Sequence, residues 1–351
     1  MRSKKLHVYW LMSLCALLLI MAGCSDNTSG STEGNGSSEG EETYTIKLPT
    51  VVNEDNFVAT TFMEFKDLVE EKSNGQIEVD IYLGGTLSSS DEENLQQLMD
   101  GTAQLIGMGP FVASQIGGVD GFNLFDVPFL FESREQLYEL AEGPIGEQFS
   151  EEFLEATGTR ILGYYDIGFL SILNSSHSIT EPEDMNGLSI RTPQASLLMD
   201  TIEVMGGNPT PITFAEVYTS LQQGTIDGLT TTIPLMYDSQ FYEVSKYLSI
   251  TEHVLFPYLL IINNEFFESL PADLQEVVLE AADETVQFAR ELAIEQEESA
   301  LENMKEEGVE VNELTPEQIE TFREAVQPAI DNNIDVVGED VFNQALEELN
   351  Q

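Results

Sequence analysis

Between residues 43 and 109 the hydrophobic pattern switches repeatedly between a period of two and one near 3.6, and this constrains the fold more than any other feature. "TYTIKLPTVV" (43–52) alternates as a strand does. "NFVATTFMEFKDLVEEKSNG" (56–75) places Phe57, Phe62, Phe65, Leu68 and Val69 near helical spacing and stops at Asn74-Gly75, a C-terminal helix signal. "QIEVDIYLGG" (76–85) alternates again, "SSDEENLQQLMDG" (89–101) predicts a capped helix, and "AQLIGMG" (103–109) a short buried strand. Such strand–helix alternation with short joints predicts an α/β domain with a largely parallel sheet. A second set starts near Gly158 with "TRILGYYD", "FLSILN" and "LSIR", then a helix from about 195 to 205. Residues 271–308 predict a helix of about ten turns, with Pro271 near its start and Gly308 at its end. Its apolar positions thin out beyond Ala300, which favours a helix laid across two lobes over a coiled coil.

Ahead of this region stands a leader. "MRSKK" is a positive n-region, an apolar run follows from Val8, and Met21-Ala22-Gly23-Cys24 closes it with small residues. That closing segment resembles the lipobox of bacterial lipoproteins, in which Cys24 becomes the lipid-modified N-terminus. "SDNTSGSTEGNGSSEGEE" then carries no apolar residue and reads as a flexible tether. The expected organisation is a leader over 1–24, a tether over 25–43, and a folded part anchored outside the membrane.

The leader contains Arg2, Lys4 and Lys5 and no acid, so its removal takes the formal charge from −50 to −53. A field of that sign repels nucleic acid and anionic membrane surfaces, so neither is an expected partner. It fits a salty or alkaline medium, where screening tames self-repulsion. Of the two cysteines, Cys15 leaves with the leader, so no disulfide framework is expected. The roughly 300 remaining residues suffice for two domains with ordinary cores.

No enzyme signature is present: no G-x-S-x-G, C-x-x-C, H-E-x-x-H, Walker loop or complete G-x-G-x-x-G. His177 and His253 stand in polar, loop-like settings. Gly107-Met108-Gly109 lacks the third glycine of a nucleotide fingerprint. Asp91, Glu92 and Glu93 read as first-turn residues that complement a helix dipole. No metal-ligand spacing appears, and no metal, cofactor or catalytic residue is expected. Arg191, in "MNGLSIRTPQAS" (185–196), is different, being a scarce cation where a strand feeds a loop. Its planar fork could grip a ligand carboxylate with two charge-assisted hydrogen bonds, or it could form an internal ion pair.

From "NGLSIRTP" through "MGGNPTPITFAEVYTSLQQGTIDG" to "FYEVSKYLSITEH", the chain resembles the solute-binding proteins of tripartite ATP-independent periplasmic (TRAP) transporters, dicarboxylate-binding type. The likeness extends back to "VEEKSNGQIEVDIYLGGTLS", "MDGTAQLIGMG" and "VPFLF", and forward to "PADLQEVVLEAA". It implies a two-domain, periplasmic-binding-protein-like α/β fold with a long helix spanning both lobes and a ligand cleft between them. Lobe I would comprise 44–167 and about 256–296, and lobe II about 168–255 and 297–351.

The resemblance further implies capture of a small organic acid for TRAP-type permease subunits driven by an ion gradient. Arg191 occupies the position of the arginine that pairs with the substrate carboxylate, and Phe214 that of an aromatic packing on the ligand. Thr231 stands where many members carry asparagine and can donate one hydrogen bond. Asn53, after the first strand, and Tyr237, after Thr231, are placed to reach the cleft. Many members carry a second arginine in a G-F-R segment, whereas this chain reads "GFLSILN" with Leu170 there. One cation fewer favours a monocarboxylate with an apolar body, and makes a neutral ligand conceivable. The alternatives are a ligand-binding sensor accessory, a tethered hydrolase or lyase, and a structural surface protein.

Overall fold

The computed structural model describes residues 43–349, so the leader, Cys24 and nearly all of the tether lie outside the described residues. The opening alternation produces β1 (Tyr44–Pro49), α1 (Phe57–Lys72), β2 (Ile77–Tyr82), α2 (Asp91–Met99), β3 (Leu105–Met108) and α3 (Pro110–Gln115). Local chemistry sets these ends. The Asn56 side chain accepts from Val58 N to cap α1, and the chain leaves the helix through Asn74 (φ 53°) and Gly75 (φ 78°). Ser90 caps α2 by accepting from Glu93 N, which puts Asp91, Glu92 and Glu93 in the first turn.

The remaining strands are β4 (Thr159–Asn174), β5 (Ser189–Thr192), β6 (Asn208–Pro211), β7 (Gly228–Thr232), β8 (Tyr247–Asn263) and β9 (Glu310–Glu313). β1 and β2 pair in parallel, and the other seven form one sheet in the order β3-β8-β4-β7-β5-β6, with β9 beside β8. This sheet corrects the expectation of a largely parallel one. β5 runs parallel to β6 and β7, and β9 to β8, but β4 is antiparallel to both β7 and β8, and β3 to β8. "TRILGYYD" and "FLSILN", read as separate strands, are one strand, β4, that continues through a register shift between Asp166 and Phe169. Gly168 makes that irregularity possible with φ 102°. β4 is mostly buried along its length, so its sequence is nearly continuously apolar and carries no signal of orientation.

The interior divides into one large and two smaller hydrophobic clusters. The long helix, Ala272–Glu306, is 35 residues and thus about 52 Å in length. It buries Val278, Ala281, Val286 and Ala289 in the large cluster, and Ala300 and Met304 in a smaller one. A charge network centred on the buried Asp166 pins it to the sheet. Arg134 pairs with Asp166 of β4 (Nε–Oδ1 3.1 Å) and with Glu297 of the long helix, while Tyr138 donates to Asp166. Among the described residues no helix is long and apolar enough to cross a membrane, and no cluster of side chains could hold a metal ion.

Candidate functional site

Arg191 is the third residue of β5, held between Thr210 of β6 and Leu229 of β7. Pro193 follows the strand's last residue, Thr192, and its missing N–H prevents the ladder from continuing. The residue is only 5% exposed. Its Nε donates to the Ile212 carbonyl at 2.9 Å, and its Cζ lies 5.8 Å from the centre of the Phe214 ring. No carboxylate among the described residues comes within 4.0 Å of it, which removes the internal ion pair as its reason for being there. Burial pushes its pKa down to about 10, against the pull of Asp91 and Glu92, so it stays charged at neutral pH.

This cation faces a cavity of about 360 Å³ that opens into a smaller one of about 90 Å³, and Arg191, Asp91, Phe111 and Phe214 line both. The larger part has the polar wall, with Ser89, Ser90 and Glu92 from the start of α2. Burial, with Glu92 adding to it, pushes the Asp91 carboxyl up to about 7. Asn94 donates to Asp91 (Nδ2–Oδ1 3.3 Å) and takes a hydrogen bond from Ser88, which fixes the carboxylate. The smaller part is apolar, walled by Ile167, Leu170, Leu235, Phe256 and Tyr258, with Thr230 and Thr231 of β7 as its hydroxyl-bearing side.

Four of the residues singled out in the sequence therefore meet in one place: Arg191, Phe214, Thr231 and Leu170. Asn53 and Tyr237 do not. Asn53 is exposed beside the Gly84 turn, and its neighbours Val51 and Val52 reach the cavity instead. Tyr237 stacks on Tyr242 with ring centres 5.3 Å apart, and Leu235 from the same turn of helix lines the site. His253 is also not in a polar loop. It lies inside β8, 1% exposed, bonded to Thr251 Oγ1 (2.8 Å) and Thr230 Oγ1 (3.1 Å), and burial pulls its pKa down to about 3. His177 is exposed as expected.

Sequence reasoning treated Asp91 and Glu92 as dipole partners alone and passed over Phe111, Phe256 and Tyr258. The available signal was the glycine pair at 107 and 109. A Cβ on Gly107 would come within 2.6 Å of the Tyr258 ring, and one on Gly109 within 2.8 Å of Phe256. That pair makes room for aromatic walls and not for a phosphate.

Residues 48–335 match the family described as bacterial extracellular solute-binding protein, family 7 (DctP). The chain is 31% identical over 303 residues to the C4-dicarboxylate-binding periplasmic protein DctP of Rhodobacter capsulatus, covering 85% of this chain and 88% of that one. It is 31% identical over 255 residues to the 2,3-diketo-L-gulonate-binding periplasmic protein YiaO of Escherichia coli K12, with 71% and 74% covered. Among solved structures, the sugar acid binding protein of Advenella mimigardefordensis in complex with galactonate superposes with a TM-score of 0.83 at 27% identity, covering 88% of this chain and 98% of that one. A TRAP periplasmic solute-binding protein from Sulfitobacter sp. NAS-14.1 with bound β-D-galacturonate gives 0.81 at 31% identity, with 88% and 100% covered. With its match spanning most of the chain, the protein belongs to family 7 of the bacterial extracellular solute-binding proteins, the DctP family of TRAP solute-binding proteins, and is not an enzyme.

Proposed function

We propose that this protein captures a small monocarboxylate outside the cytoplasm and hands it to TRAP-type membrane subunits, held at the membrane by a lipid on Cys24. The observation that carries this reading is Arg191, a buried guanidinium that faces a cavity with no carboxylate pairing it. A buried charge left without a counter-ion is costly, and an incoming carboxylate removes that cost while filling the fork with two hydrogen bonds. Leu170, 3% exposed in the apolar wall, leaves the site without a second cation for a dianion. Phe214 packs the ligand body and Thr231 supplies a short hydrogen bond.

The lobes assigned from the sequence, 44–167 with 256–296 and 168–255 with 297–351, are supported by the separate interior clusters, two of which the long helix joins. Ala329, Val337 and Ala345 nevertheless pack into the large cluster, so the C-terminal helices return toward lobe I. The test is native mass spectrometry of the purified protein. A small bound mass that is absent from Arg191→Ala supports the reading, and a co-purified ligand unaffected by that substitution overturns it. Metabolic labelling with palmitate that persists in Cys24→Ala would overturn the anchor.

A further inference from the structure

The walls of the larger cavity carry one cation, Arg191, against the carboxylates of Asp91, Glu92 and Glu216. Glu216 is exposed and engaged with the Thr213 hydroxyl at 2.7 Å, which leaves Asp91 and Glu92 as the two acids in the half-buried wall. A simple anion docking on Arg191 would lie in a wall that already holds more negative charge than positive, within a chain of formal charge −50. Arg191 itself, 5% exposed and without a side-chain partner on its terminal nitrogens among the described residues, is the independent sign that a ligand belongs here. No ion pair joins it to Asp91 or Glu92 within 4.0 Å, so a ligand can stand between the two charges. The ring of Phe111 lines both parts of the cavity, and its centre lies 6.3 Å from that of Phe256, which presents two aromatic surfaces beside the acids.

We propose that the solute is a zwitterion, whose carboxylate pairs with Arg191 and whose ammonium, bare or N-alkylated, sits against Asp91 and Glu92 beside the Phe111 ring. The assignment rests on the carboxylate reading of Arg191 and deepens it by naming the other end of the ligand. Each charge of such a solute meets its opposite, and the net charge of the closed site does not change on binding. Aromatic faces attract an ammonium through the ring quadrupole and tolerate the apolar surface of N-alkyl groups. A cavity of about 360 Å³ suits a molecule of this size.

Titration calorimetry on isosteric pairs tests it. Trimethylglycine is compared with 3,3-dimethylbutanoate, which differs from it only in the positive charge, and proline with cyclopentanecarboxylate, which lacks both the charge and its N–H donors; glucuronate serves as the hydroxyl-rich anion. The expected result is at least tenfold tighter binding of a zwitterion than of its anionic partner and of glucuronate. In Asp91→Asn that ratio should fall at least tenfold, and Glu92→Gln, which keeps Asp91 and its Asn94 contact, should lower it in the same direction. Anions binding through Arg191 as tightly as the zwitterions, or glucuronate binding most tightly of all, would overturn the zwitterion assignment and leave the carboxylate reading intact. Absence of binding by every compound, or binding that survives Arg191→Ala, would bring down both.

Discussion

The Cζ of Arg191 lies 5.8 Å from the centre of the Phe214 ring, and its Nε is tied to the Ile212 carbonyl two residues before that ring. One loop therefore orients the guanidinium and supplies the aromatic surface next to it. Replacing Arg191 by Ala should cost about 2–5 kcal/mol of carboxylate affinity, because the ligand's charge would then be buried unpaired. Arg191→Lys should recover only part of this, since an ammonium cannot reproduce the planar fork. Calorimetry with whichever carboxylate co-purifies would check both.

The same burial makes a prediction about stability. Arg191→Met keeps the side-chain length but removes a charge that has no counter-ion in the ligand-free protein. Denaturant unfolding should show the ligand-free variant at least as stable as the parent, by up to about 1–3 kcal/mol, while binding is lost. A variant destabilised by several kcal/mol would mean that Arg191 supports the fold.

Leu170 offers a gain-of-function test. Leu170→Arg places a second cation in the apolar wall, so the ligand-free variant should melt lower, as expected for an unpaired buried charge. Succinate should raise its melting temperature more than it raises the parent's. Equal succinate shifts in the two proteins would show that Leu170 does not set ligand charge.

Asp126 is fully buried, with no hydrogen-bond partner for either carboxylate oxygen among the described residues, and burial pushes its pKa up to about 8. The folded state thus holds this proton more tightly than the unfolded chain, whose value is about 3.9. Between those values the native state binds more protons, so the group's contribution to stability is whole below about pH 4 and is lost as pH rises toward 8. Asp126→Asn should remove that dependence. Urea unfolding at pH 5 and pH 8 should show the variant gaining on the parent with rising pH, at up to about 1.4 kcal/mol per unit. A constant difference between the two proteins would place the carboxylate in a different environment.

Arg134 joins Asp166, which has no exposed side-chain surface, to Glu297 of the long helix. Arg134→Ala strands the buried Asp166 and the half-buried Glu297 and should destabilise by about 3–5 kcal/mol, whereas Lys305→Ala, which breaks an exposed pair with Glu313, should change little. Chemical denaturation of the two variants side by side would check the contrast.

Local pattern carried most of the helices and strands and part of the candidate site. Periodicity and end signals act over a few residues, so the helix Phe57–Lys72 with its Asn74-Gly75 stop and the long helix Ala272–Glu306 were legible from local pattern. Arg191 stood out because a cation is scarce in this chain, and the resemblance to the family implied that Phe214, Thr231 and Leu170 belong with it. The tertiary structure decided what depends on partners distant in sequence. Strand direction in a sheet buried on both faces leaves no trace in the apolar pattern, so the antiparallel β4–β8 pairing could not be read. Side-chain direction at a turn is set by what packs around it, which is why Val51 and Leu235 reach the cavity while Asn53 and Tyr237 face elsewhere. Asp91 is the clearest case. A first-turn acid looks the same in sequence whether it faces solvent or a buried arginine 100 residues away, and only the tertiary placement of the start of α2 on the cavity that Arg191 also lines separates the two.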